Sequence, residues 1–71
     1  MSLIFVDWDH RPAVLTPWPH RHAFAVLEPS GPWEKVDEFD VTHTGGVMTE
    51  EGWRAKFEGF FGPLDLSTVP S

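Results

Sequence analysis

Ten aromatic side chains constrain the fold of this chain more than any other feature. They are four tryptophans and six phenylalanines, and the 71 residues include no cysteine. A chain this short buries only about 60% of its unfolded surface, so its core is thin. Because disulfides are excluded and each aromatic ring can bury roughly 150–250 Å², we expect one small domain, residues 1–71, with an aromatic core. Residues 67–71 are expected to form a frayed tail.

Short apolar runs predict three β-strands. The first is Ser2–Trp8, which is apolar on both faces and therefore favours a central position in a sheet. The second is His20–Glu28 and the third is Lys35–His43. They are separated by the turn residues Pro29–Pro32, so we expect them to pair as an antiparallel hairpin.

Three prolines between Asp9 and Pro19 predict a long connector, because each proline lacks a backbone donor. Within it, Ala13–Leu15 could add a brief strand at an edge of the sheet, where neighbouring prolines are tolerated. Thr44–Gly46 is expected to end the third strand, because paired glycines weaken a strand.

The segment after the glycine pair predicts one α-helix. Thr49 is the expected N-cap, followed by two acidic residues in the first turn. Gly59 or Gly62 is expected to end the helix. Three aromatic residues recur at helical spacing and form one apolar stripe that should pack on the sheet: Trp53, Phe57 and Phe60. The predicted fold class is therefore α+β, a small three-stranded antiparallel β-meander with one C-terminal α-helix packed on a face (β-β-β-α).

The predicted hairpin also determines which side chains share a face. If its loop has an even number of residues, Phe24 lies with Phe39 on the buried face. The opposite face then carries acidic residues beside the small side chains of Ala23 and Ala25, which would form a flat acidic patch. These acidic residues are Glu34, Glu38 and Asp40.

The charge balance narrows the choice of partner. Eleven acidic and five basic residues give a net charge of −6. This charge argues against binding to nucleic acid or anionic membrane and favours a basic protein surface, such as that of a nucleic-acid-binding protein. The alternative is that it only keeps the protein soluble. No apolar run approaches the roughly 20 residues that span a bilayer, and no signal peptide is recognised, so we expect a cytoplasmic location.

An acidic run between Glu34 and Asp40 is the best candidate for a binding surface. Regularly spaced carboxylates can imitate phosphates and occupy a basic groove, and Glu50 and Glu51 could extend the negative field. The predicted partner-binding residues are Trp33, Glu34, Asp37, Glu38 and Asp40. We expect an acidic protein-binding module that inhibits or modulates a partner, by analogy with phage-type inhibitors of nucleic-acid-processing or defence enzymes and with antitoxin or immunity proteins. A solvated strand face is the alternative.

Four histidines support a second hypothesis, a metal-binding or metal-sensing module. His20 and His22 would share one face of the second strand. If residues 29–34 form the whole loop, His20 falls opposite His43. Three imidazoles could then meet, with an aspartate of the first strand as a fourth zinc ligand. The alternative is that these are ordinary histidines of loops and strand ends.

No motif indicates catalysis. Asp7 and Asp9 would share a strand face as a general acid/base pair, but no nucleophile or phosphate-binding loop accompanies them, and a polar strand end whose aspartates pair with Arg11 explains them better. The serines lie at termini or in turns, outside any G-x-S-x-G elbow. We therefore predict no enzyme, no cofactor and no metal. A third hypothesis is a structural homo-oligomer, because the thin core and apolar first strand favour a dimer.

Overall fold

The computed structural model describes residues 3–37 and 44–70, with the backbone alone for residues 44 and 45. An antiparallel sheet with one α-helix packed on it confirms the predicted α+β class, but the sheet has five strands rather than three. The strands are β1 (Ile4–Trp8), β2 (Arg11–Leu15), β3 (Ala23–Val26), β4 (Trp33–Lys35) and β5 (Thr44–Met48). The helix is α1 (Glu50–Phe61), followed by a short 3-10 helix, Leu66–Thr68. The spatial order β4-β3-β2-β1-β5 places β2 at the centre.

The first of the two additional strands is β2, in the region predicted to be a connector. A two-residue turn, Asp9 and His10, joins it to β1, and both turn residues have positive φ (51° and 62°). That pair of angles belongs to a type I′ turn, which matches the twist of the flanking strands. The expectation that Ala13–Leu15 lies at an edge is therefore wrong: these residues belong to the central strand.

Proline is tolerated in this central strand because of its position in the two ladders. Trp8 pairs with Arg11 next to the turn, so the following pair, Asp7 with Pro12, is a non-hydrogen-bonded pair in which no donor toward β1 is required. On the other side, the ladder with β3 begins one residue later, at Ala13. Pro12 therefore adds a buried apolar ring without breaking a ladder hydrogen bond.

The predicted hairpin is present as β3 and β4, but both strands are shorter than predicted. Val26 pairs with Trp33, so the loop is residues 27–32, an even number as expected. Ala25 pairs with Glu34, which confirms that these two share a face. Of the strand predicted over Lys35–His43, Lys35 belongs to β4 and Val36 and Asp37 do not, whereas residues 38–43 lie outside the described part of the chain.

The second additional strand, β5, contains the two glycines that were expected to end a strand. Trp8 pairs with Thr44 and Val6 with Val47, so Gly45 and Gly46 together oppose the single residue Asp7. This is a β-bulge, and Gly46 adopts the positive φ of 98° that a side chain would disfavour there. Because β5 pairs with β1, β1 has a neighbouring strand on both sides and lies inside the sheet, as predicted.

The helix begins and ends where the sequence predicts. The Thr49 hydroxyl accepts a hydrogen bond from the Gly52 N–H at 3.2 Å and caps the N-terminus. Gly62 ends the helix with φ of 76°, and a Cβ there would lie 3.0 Å from the Ser30 hydroxyl oxygen. Glycine is therefore required by both the backbone angle and the space.

The apolar stripe of α1 differs from the prediction at its end. Trp53 and Phe57 are buried, but Phe60 is 77% exposed. Phe61 packs against Phe57 instead, with ring centroids 6.1 Å apart. The reason is the path of the helix, which starts beside the edge strand β5 and ends where the Phe61 carbonyl accepts a hydrogen bond from the Ser30 N–H in the β3–β4 loop. Because α1 crosses the sheet, the buried stripe drifts along i, i+4, i+8.

The core consists of two clusters on opposite faces of the sheet. The larger one lies between sheet and helix and contains Val14, Phe24, Val26, Trp33, Trp53, Phe57 and Leu64. The smaller one consists of Val6, Ala13 and Ala25. Alternating residues of β1, β2 and β3 point to the two faces, so all of β3 and the middle of β2 are buried, whereas in β1 only Val6 is buried and its neighbours are partly buried.

The C-terminal segment packs against the larger cluster. Leu64 is buried, and Leu66 and Val69 are partly buried there. The Asp65 carboxylate accepts hydrogen bonds from the Ser67 hydroxyl at 2.6 Å and the Ser67 N–H at 3.0 Å. These two donors, with a smaller effect of Arg54, hold the pKa of Asp65 below its ordinary value. Residues 67–69, expected to fray, lie in or next to this ordered turn.

None of the described residues forms a helix of the length and apolar character that crossing a membrane requires.

Candidate functional site

The predicted acidic surface is represented in the described residues by Glu34 and Asp37, both exposed. Glu38 and Asp40 lie outside the described part of the chain. Trp33 is not at the rim of this surface. It lies on the opposite face of β4, buried in the larger cluster, where its ring stacks on Trp53 at 6.1 Å and its Nε1 donates to the Asp65 carbonyl at 3.3 Å.

The sheet face next to Glu34 is not the open, flat patch that the sequence predicted. Ala25, which pairs directly with Glu34, is fully buried, and so is its neighbour Ala13. These alanines pack in the smaller cluster together with the partly buried Trp8 and Val36. The carboxylate of Glu34 is therefore accessible from the sheet edge rather than across a bare alanine surface.

Three of the five basic residues are held by carboxylates of the chain itself. Lys56 contacts Asp7 at 2.6 Å, Arg54 contacts Glu58 at 2.9 Å and Arg11 approaches Asp9 to 3.6 Å. Six other exposed carboxylates have no ion pair within the described part of the chain, and five of them form two groups. Glu28, Glu34 and Asp37 lie in or next to β3 and β4 at one edge of the sheet, whereas Glu50 and Glu51 follow β5 at the other; the sixth, Asp65, accepts hydrogen bonds from Ser67. The two groups therefore do not form one continuous surface.

The two aspartates considered as an acid/base pair take different partners. The Asp7 side chain, only 12% exposed, points to the helix side, where its Oδ2 binds Lys56. Its buried Oδ1 has no hydrogen-bond partner among the described residues. Asp9 lies in the β1–β2 turn and faces Arg11. The shared strand face that the hypothesis required is not formed.

The histidines are not arranged as the metal hypothesis required. His20 and His22 are exposed and precede β3, so they do not lie on a strand face. The register that would place His20 opposite His43 is wrong, because the loop is residues 27–32, and His43 itself lies outside the described residues. Over residues 3–37 and 44–70, no three potential ligands among His, Cys, Asp and Glu come together.

A groove at one end of the sheet contains the most exposed aromatic ring among the described residues, Trp18, which is 78% exposed. This Trp18 groove has a volume of about 630 Å³. It lies between the β2–β3 connection and the C-terminal segment, and its apolar walls are Leu3, Pro17, Trp18, Leu66, Val69 and Pro70. Both Trp18 and Trp33 lie among prolines in the sequence, and the predicted partner-binding residues included Trp33 but not Trp18. The signal in favour of Trp18 is that prolines flank it on both sides, so it cannot join a ladder and bury its ring there.

A second apolar groove lies at the opposite end of the sheet, beside the helix C-terminus. This Phe60 groove has a volume of about 430 Å³ and is lined by His10, Pro29, Lys56 and three phenylalanines of α1. Each end of the molecule therefore exposes one large ring next to an apolar depression.

Comparisons with known proteins do not assign this arrangement to a family. No protein-family model, no curated protein and no solved structure matches the chain. The arguments on function below therefore rest on the residues themselves.

Proposed function

We propose that this protein is a small acidic protein-binding module, without catalysis of its own, that docks on a basic surface of a partner protein and modulates it. The observation that carries the proposal is the placement of charge. Arg11, Arg54 and Lys56 each lie against a carboxylate of the chain other than Glu34 and Asp37, so they do not neutralise those two acidic groups directly.

The acidic edge is the docking surface in this proposal. We define it as Glu34 and Asp37 together with Glu38 and Asp40, which follow directly in sequence. β4 is an edge strand of three residues, so the edge is accessible to a partner. Carboxylates at the rim of an interface mainly raise the association rate and make it depend on salt.

The contacts of Asp7 and Asp9 support a function without catalysis. Asp7 is held by Lys56 next to the core, and Asp9 is held by the adjacent Arg11. The partners that the described residues give to these two carboxylates are bases, not a nucleophile or a second acid with which either could share a reaction. Binding is the function that uses the remaining, exposed carboxylates.

Affinity capture with matched charge variants tests the proposal. The immobilised wild-type chain is compared with Glu34→Gln/Asp37→Asn, Glu38→Gln/Asp40→Asn and Glu50→Gln/Glu51→Gln in lysate of the source organism at low salt. All three variants remove two negative charges, but the third removes them from the opposite edge. We expect a basic protein retained by wild type and the third variant and lost from the other two, with affinity that falls as salt rises.

Two results would contradict the proposal. In one, the third variant loses the partner as completely as the first, which would mean that net charge alone and not the acidic edge determines binding. In the other, no basic protein is captured by the wild-type chain at any salt concentration.

A further inference from the structure

We propose that the chain forms a weak symmetric dimer in which Trp18 of each copy packs in the Trp18 groove of the other. A contact of this kind uses the same patch on both copies, so one protruding ring and one adjacent depression are sufficient. The chain provides both in the same place: Trp18 is exposed, and it borders the groove of about 630 Å³.

The loop that presents Trp18 is held in place before any partner binds. The Thr16 hydroxyl accepts a hydrogen bond from the His22 N–H at 2.7 Å and lies 3.1 Å from the His20 carbonyl. The Thr16 N–H in turn donates to the His22 carbonyl at 2.9 Å. These bonds close the connection behind Trp18, so little loop entropy is lost when the ring is buried.

The charge at this groove is the argument for a second copy as the occupant. Each chain carries a net charge of −6, so two copies repel one another wherever their carboxylates meet. None of the ten residues that line the Trp18 groove is Asp, Glu, Lys or Arg, and its only titratable side chains are those of His20 and His22. Two copies can therefore meet here without placing like charges of these four residue types in contact.

The Phe60 groove is a poorer surface for the same purpose. It has a similarly exposed ring, but Lys56 is among its lining residues. A symmetric contact there would bring two ammonium groups together, each already bound to its own Asp7. The Trp18 groove is therefore the better surface for self-association, and Phe60 serves as the control.

The size of the groove determines how strong the dimer is. Stable interfaces use roughly 20–30 residues from each partner, whereas ten residues line this one. A buried Trp ring at the centre of a small interface supplies most of the binding energy. We therefore expect a dissociation constant in the micromolar to millimolar range, with monomer and dimer in exchange.

Sedimentation equilibrium tests this dimer directly, on the full chain at neutral pH from micromolar to millimolar concentration. We expect wild type to change from monomer to dimer, and Trp18→Ala to weaken dimerisation by at least about tenfold. Pro70→Glu, which places a carboxylate in the groove without touching the ring, should weaken it as well. Phe60→Ala removes an equally exposed ring and should dimerise like wild type. Both Trp18 and Pro70 are exposed, so the variants are expected to fold, which circular dichroism checks.

The proposal is overturned if wild type remains monomeric at millimolar concentration, if Trp18→Ala dimerises like wild type, or if Phe60→Ala is affected as strongly as Trp18→Ala. A monomeric wild type whose capture of a basic protein depends on Trp18 would also overturn it, since the occupant would then be the partner protein. The charge variants of the acidic edge leave the groove unchanged, so failure of the dimer and failure of the proposed function are separate results.

Discussion

The two faces of the sheet are filled in opposite ways. On the helix side, large rings are packed against one another: Phe5 and Trp33 both contact Trp53, at 4.9 and 6.1 Å between centroids. On the other side, Ala13 and Ala25 are fully buried although α1 lies on the opposite face of the sheet. The helix side therefore contributes large buried apolar rings to the core, whereas the alanine side has little room for larger side chains.

Hydrogen bonds tie the rings of the helix side to the backbone. The indole N–H of Trp53 donates to the Val6 carbonyl at 3.1 Å, and that of Trp33 donates to the Asp65 carbonyl. These bonds satisfy the one polar group of each buried ring and fix its orientation. The buried side chains of the alanine face, by contrast, are methyl and isopropyl groups, which carry no polar atom.

The largest effect is expected from Trp53→Ala, which removes the fully buried ring at the centre of the helix side. We expect unfolding to become easier by about 3–5 kcal/mol, which is close to the whole stability of a domain of this size. Urea denaturation followed by far-UV circular dichroism measures it. Trp18→Ala removes the same side chain from an exposed position and should change stability by less than about 0.5 kcal/mol. Equal losses in the two variants would contradict the distinction between core and surface tryptophans.

A smaller loss is expected when the alanine face is overfilled by Ala25→Val. Ala25 has no exposed surface, so the added methyl groups must displace neighbours at a cost of about 1–3 kcal/mol. The same substitution at the exposed helical residue Ala55 is the control and should cost only about 0.5 kcal/mol, the loss in helix propensity. If Ala25→Val were stabilising in the same urea titration, the alanine face would have free space and the comparison of the two faces would fail.

The ion pair between Lys56 and Asp7 tests whether the helix side depends on rings alone. Lys56→Met leaves the largely buried Asp7 carboxylate without its partner, and we expect a loss of about 1–2 kcal/mol at neutral pH. Arg11→Met breaks the pair with the exposed Asp9, which is longer at 3.6 Å, and should cost less than about 0.5 kcal/mol. Thermal denaturation of both variants gives the comparison. A greater loss for Arg11→Met would show that burial of Asp7 does not strengthen its ion pair.

The smallest effect is expected at Asp65, where the C-terminal segment covers the helix side. Its folded pKa is lowered by the Ser67 donors, so it stabilises the fold above its ordinary pKa, and this contribution is lost as pH falls through the folded pKa. Ser67→Ala should raise the pKa of Asp65 toward its ordinary value and make the variant less stable than wild type only above that range. An NMR titration of the carboxyl measures the pKa.

Thr68→Ala is the control for this titration, since the Thr68 hydroxyl donates to the Asp65 backbone carbonyl and not to its carboxylate. It should leave the pKa of Asp65 unchanged. If Ser67→Ala has no effect on the titration either, the hydrogen bond from the Ser67 hydroxyl is not what lowers the pKa of Asp65.

Local signals explain the elements that sequence analysis predicted well. The Thr49 cap, the Gly62 end and the apolar first strand depend on residues within a few positions of each other. The even loop between β3 and β4 was predicted by placing Phe24 and Val26 on one face with Phe39 and Val41, which uses only residues of the same hairpin.

The elements that were misplaced or missed depend on pairing with another strand. β2 was predicted only as a brief edge strand over Ala13–Leu15, because its turn, Asp9 and His10, lacks the glycine typical of type I′ turns, and because Pro12 disfavours a central strand. β5 was missed because two adjacent glycines are typical of the end of a strand. Pairing with β1 accommodates them as a β-bulge. In both cases the strand is stabilised by hydrogen bonds to a partner strand, which the local sequence does not indicate.

The candidate surfaces also combine features that follow from the sequence with features that follow from tertiary contacts. The sequence by itself determined the net charge, the acidic run and the aromatic content, because these are properties of composition and order. Only the tertiary structure decided that Trp33 is buried while Trp18 is exposed, and that Phe61 rather than Phe60 packs on the core. Burial is the physical reason: it depends on which strands pair and where the helix crosses them, and these contacts join residues that are distant in the chain.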